Sequence, residues 1–131
     1  MPLEFMKSNP RPDNMNENND CAVRATSIAS ELPYEQVHQL YSQAGRKPRK
    51  GTFVATIRSV INKLNDKHTF ISYTGYKCPT LSRFIKDNPK GKWVICRRGH
   101  AFAVKDGVVY DAHESQAGAR CRVLFAIKVK D

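Results

Sequence analysis

No stretch of this chain comes near the roughly 18 consecutive apolar residues that a membrane-spanning helix needs. The opening residues Met1-Pro2-Leu3-Glu4-Phe5-Met6 carry no apolar run of the signal-peptide kind. The cysteines, at 21, 78, 96 and 121, form no CxxC pair and stand in no CxxC…HxxxH spacing, which argues against a structural zinc site. No metal or cofactor is expected. Free thiols in a reducing, cytoplasmic setting are the simplest expectation, with oligomeric state left open. Acidic residues are scarce, 12 against 22 basic ones, for a formal charge of +10. That balance favours nucleic acid, anionic surfaces or acidic proteins as partners and carries no information about fold. Yet there is no helix-turn-helix, zinc-finger or aromatic–basic RNA motif. Nor do aromatics interleave with the basic groups, as single-strand binders require.

What is present describes an ordinary globular chain. With 131 residues, 40% hydrophobic and 26% charged, it can bury a core as one domain. Residues 1–19 hold three prolines and five asparagines and read as an extended N-terminal arm, with a single domain over 20–131. Cys21, Ala25, Ile28, Ala29 and Leu32 recur at helical period, up to Pro33. Tyr34, Val37, Leu40, Tyr41 and Ala44 make a second stripe stopped by Gly45. A third, capped by Thr52, carries Phe53, Ile57, Val60, Ile61 and Leu64. His68–Tyr73 reads as a strand and Thr80–Asp87 as a short helix. Beyond these lie a strand at Trp93–Cys96, a hairpin of His100–Val104 with Val108–Ala112, and a last strand alternating through Val123, Phe125, Ile127 and Val129. Helices first and an antiparallel sheet afterwards describe an α+β domain, N-terminal helices packed on a C-terminal antiparallel β-sheet.

The chemistry is expected at Cys21. A cysteine in the first turn of a helix sits at the positive end of the macrodipole, where thiolate is favoured over thiol. Asp20 or Asn19 can cap that helix. If Asp106-Gly107 is a two-residue hairpin loop, Lys105 pairs with Val108 and Val104 with Val109, and Phe102 faces Asp111. His100 and Asp111 are then diagonal neighbours on one face, near enough for side chains to meet. An Asp bonded to one imidazole nitrogen fixes the tautomer and frees the other for a thiol. Cys21, His100 and Asp111 therefore read as nucleophile, base and orienter of a cysteine-dependent acyl-transfer site. His113 is the competing base. His38 and His68 read as surface or core-edge residues, and Cys78, Cys96 and Cys121 as structural. Arg46–Lys50, Arg97-Arg98 and Arg120–Arg122 read as solvated faces, or otherwise as partner-binding ones.

These motifs, Asp20-Cys21, then His100-Ala101-Phe102-Ala103-Val104, then Asp111 after Val108-Val109-Tyr110, resemble the papain-like cysteine peptidases. The likeness, over roughly residues 14 to 113, is greatest to the compact bacteriocin-processing peptidases. The resemblance implies a papain-like fold and a hydrolase, peptidase or isopeptidase, that acts on a protein or peptide through a thioacyl-enzyme. The family places an oxyanion-stabilising Gln about six residues before the cysteine, where this chain has Met15. Asn16 and Asn14, on either side of it, are the nearest amide donors, with the backbone N–H of Cys21 as the second donor. Where the family often has Gly after the cysteine, this chain has Ala22. The same constellation serves transglutaminase-like transfer and side-chain deamidation. A reading from another class is a basic binding module with an inactive site, whose partner is nucleic acid or an acidic protein.

Overall fold

Strand alternation and two tight turns organise the last third of the chain. In the computed structural model, which describes residues 3–131, β3 (Lys92–Arg97) and β4 (His100–Lys105) pair antiparallel around Arg98-Gly99. β4 and β5 (Val108–Asp111) pair around Asp106-Gly107 in the expected register, Lys105 with Val108 and Val104 with Val109. Both loop residues have positive φ, 48° and 84°, the backbone that a primed two-residue turn requires and that Asp-Gly tolerates. Asp106 Oδ1 also accepts the Gly91 N–H at 2.9 Å, which tethers this turn to the start of β3.

The sheet holds six strands among the described residues, in the order β1-β5-β4-β3-β6-β2, with β1 at Phe5–Lys7, β2 at Thr69–Ser72 and β6 at Phe125–Lys130. It is mixed rather than antiparallel, because β1 runs parallel to β5, Phe5 beside Val109 and Lys7 beside Asp111. The expected arm over 1–19 is corrected accordingly. Three of its residues form an edge strand, and the loop after them is tied down by Arg11 and Glu17; Met1 and Pro2 lie outside the described residues.

Alternation along the strands divides the core in two. Val94, Cys96, Ala101, Ala103, Ile127 and Val129 face α1 (Cys21–Ser30), α2 (Tyr34–Gln43) and α3 (Val54–Leu64). Trp93, Ile95, Phe102, Val104, Val109 and Ala126 face the short α4 (Leu81–Asp87). α1 lies across β4 and β3 and is buried on nearly all sides, not along one stripe. Ala22, Ala25 and Ala29 allow its close approach to the sheet. On the far side, Thr26 Oγ1 is 2.7 Å from the Tyr41 hydroxyl of α2.

Helix ends follow local chemistry only in part. α1 stops at Ser30 because Glu31 takes a left-handed conformation, φ 61°, and Pro33 then opens α2. Thr52 does not cap α3; its hydroxyl is buried without a partner, Phe53 holds the cap position, and the Phe53 side chain is exposed, outside the expected stripe. At α4 the cap is made, Thr80 Oγ1 accepting the Arg83 N–H at 3.2 Å. Thr80→Ala is expected to cost about 1 kcal/mol, read as a small drop in the thermal midpoint, whereas Thr80→Ser should restore it. An unchanged midpoint in Thr80→Ala would show that this cap contributes nothing.

Candidate active site

His100 opens β4 and Asp111 closes β5, so the hairpin register alone sets them together at one end of the sheet. His100 Nε2 lies 2.6 Å from Asp111 Oδ2, and both side chains are almost fully buried. Asp111 Oδ1 accepts the Ala112 N–H at 2.7 Å, which fixes the carboxylate plane. The backbone carbonyl of Asp111 accepts from Ser8 at 2.8 Å, so the segment after β1 also braces this position.

The remaining imidazole nitrogen is Nδ1. Cys21, the first residue of α1, is brought to the same sheet end because its helix packs on β4. The thiol is partly buried, which opposes the thiolate. That penalty is outweighed by the His100 imidazole, by the backbone N–H of Ala101 and by the charges of His100 and Arg24, so the Cys21 pKa is lowered. His100 answers in the other direction. Burial disfavours its cation, but Asp111 and Cys21 outweigh burial and raise its pKa to about 9. Cys21 below its usual range and His100 above its own describe a thiolate–imidazolium pair.

Asp20 is corrected from cap to anchor. It occupies the cap position without capping. Its buried carboxylate instead accepts from Tyr34 at 2.7 Å and from Arg11 at 3.1 Å. Arg24 Nε stands 3.2 Å away, in ion-pair rather than hydrogen-bond geometry. Three residues upstream, Glu17 is equally enclosed. Arg46 grips both of its oxygens at 3.0 and 3.1 Å, His38 Nε2 is 2.6 Å away, and the Arg49 N–H donates at 2.9 Å. Arg46 is thus a buried ion-pair partner rather than a solvated one, and His38 is part of the network rather than an ordinary surface residue. These two carboxylates hold the loop that delivers Cys21.

A cleft of about 640 Å³ lies over Cys21 and His100. Asn14 and Asn16, the expected amide donors, are exposed and do not line it; Asn19 does. Asn19 has φ 49°, which Asn tolerates better than most residues, and its amide donates to Arg49 O at 3.2 Å and to Asn18 Oδ1 at 3.3 Å. The clue in the sequence was the Asn18-Asn19 pair abutting Asp20. Cys96 also lines the cleft, but burial and the nearby Cys21 push its thiol up to about 12, so of the two sulfurs only Cys21 is shifted toward the thiolate. His113 is exposed and outside the cleft.

No family model, curated protein or solved structure matches this chain. The functional reading therefore rests on the geometry. Among the described residues no cluster of three His, Cys, Asp or Glu side chains is placed to hold a metal, and no helix is long and apolar enough to cross a membrane.

Proposed function

We propose that this chain is a papain-like cysteine hydrolase that cleaves an amide bond, peptide or isopeptide, through a thioacyl intermediate. One observation carries the reading: His100 touches Asp111 through Nε2 at 2.6 Å and lines the same cleft as Cys21, whose titration it lowers. Three remote segments thus bring a thiol, an imidazole and a carboxylate to one end of the sheet. The Cys21 thiolate attacks the carbonyl carbon, and the oxygen becomes an oxyanion. The first-turn N–H of Cys21, which has no partner within its helix, is one donor to it. Asn19, rather than Asn14 or Asn16, supplies the side-chain amide once it turns from Arg49. Collapse breaks the C–N bond, and the leaving amine takes its proton from His100. His100 then removes a proton from water, which attacks the thioester and releases the acid and the thiolate. Transfer to an amine, or deamidation, differs only in the acceptor or in the amide chosen. A cytoplasmic, reducing setting suits the free thiolate.

The test is the pH dependence of Cys21 alkylation, followed by mass spectrometry, in wild type and His100→Ala. Wild type should react at lower pH than an ordinary thiol. In the variant the profile should move to that of an ordinary thiol, near about 8.5. Turnover should be bell-shaped, its acid limb set by Cys21 and its alkaline limb near pH 9, where His100 loses the proton it must donate. If both proteins show the same ordinary thiol profile, the enzyme reading falls.

A further inference from the structure

The cleft over Cys21 is the middle of a longer groove. Through Gly51, Thr52 and Phe53 it opens into a hollow walled by Lys47 and Lys50. Through Arg97, Arg98 and Leu124 it opens into another, walled by Arg122 and the exposed Tyr76. Each of the two hollows shares lining residues with the cleft and none with the other, so the cleft lies between them in the series. Among the described residues, no Asp or Glu lines any of them. Lys47, Lys50, Arg97, Arg98 and Arg122 make no ion pair with any described carboxylate. Arg46, by contrast, is neutralised beneath the groove by Glu17. Unpaired cations thus stand on both sides of the nucleophile.

Resting on the proposed hydrolase reading, we propose that the substrate is an acidic polypeptide segment, bound extended along this groove with carboxylates on both sides of the bond presented to Cys21. Arginine's planar fork matches a carboxylate, and a cleft lined by one sign of charge concentrates ligands of the other sign. The same charge would attract a nucleic acid. The sulfur between the cationic ends decides for polypeptide, because a phosphodiester backbone offers it no acyl carbon.

The experiment uses the full chain carrying Cys21→Ala and a fluorescein-labelled 12-residue peptide alternating Glu and Ala, read by anisotropy. A Lys–Ala peptide and a single-stranded oligonucleotide of equal charge serve as comparisons. In parallel, wild-type Cys21 is alkylated with and without each unlabelled probe. The acidic peptide should bind at least about tenfold tighter than the lysine peptide, weaken as salt rises and protect Cys21. Arg98→Glu with Arg122→Glu, and separately Lys47→Glu with Lys50→Glu, should each weaken it about tenfold; both pairs are exposed, so either set suffices should the other fail to fold. Equal binding of the two peptides, indifference to both charge reversals, or tighter binding and better protection by the oligonucleotide would each overturn the proposal. The alkylation pH profile is read on unliganded protein, so a sound thiolate–imidazolium pair beside a peptide-indifferent groove would sink this inference alone.

Discussion

On the proposed hydrolase reading, Asp111→Asn should leave the chain folded and slow amide cleavage by about ten-thousandfold, the cost of the equivalent change in a serine triad. The carboxylate Oδ2 accepts the His100 Nε2 proton at 2.6 Å. Oδ1 is occupied by the Ala112 N–H at 2.7 Å, and an Asn carbonyl can keep that bond. The Asn amide nitrogen must then face Nε2. Two donors cannot share the contact, so the imidazole proton moves to Nδ1, the nitrogen that Asp111 leaves free. Nδ1 can no longer take a proton, and the cation loses the carboxylate that raised its pKa. Alkylation of Cys21 at pH 6 should fall in step with turnover, while circular dichroism and the thermal midpoint change little. A variant within about tenfold of wild type in both readouts would remove Asp111 from the machinery.

Glu17→Ala is expected to cost about 3–5 kcal/mol of stability, the usual penalty for breaking a buried pair and stranding its partner. The side chains of Arg46 and Glu17 are 1% and 2% exposed, so the stranded guanidinium has little access to bulk solvent. The cost should depend on pH. Burial alone would raise the Glu17 pKa, but Arg46, His38 and the Arg49 amide outweigh it and lower it to about 2. A group whose folded pKa is depressed stabilises fully above its unfolded value and loses that contribution as pH falls toward the folded one. Wild type and variant, compared by urea denaturation, should therefore differ most at neutral pH and converge between about pH 4.5 and 2. A gap that stays constant over that range would place the effect in packing rather than charge.

The elements most legible in the sequence are those whose cause is local. Asp106-Gly107 set the hairpin, the hairpin set the register, and the register placed His100 beside Asp111 without any knowledge of the rest. The position of Cys21 at a helix start was equally readable. That this helix end meets this sheet end depends on how α1 packs, which no short window encodes. β1 was invisible because three residues show no period and their partner lies near the other end of the chain. The Glu17 network was hidden for the same reason, its partners standing 21, 29 and 32 positions away. Asn14 and Asn16 were chosen by family spacing and neither lines the cleft, whereas the left-handed residue Asn19 does.

The place of β6 in the sheet bears on when the thiolate can exist. This strand lies between β3 and β2, yet it comes last in the sequence. A chain made from its N-terminus exposes Cys21 long before His100 has been synthesised, and the sheet stays split until residues 125–130 arrive. Until His100 is made, Cys21 has no imidazole beside it. The pairing of Cys21 with His100 is thus a property of the folded chain and of no early segment of it.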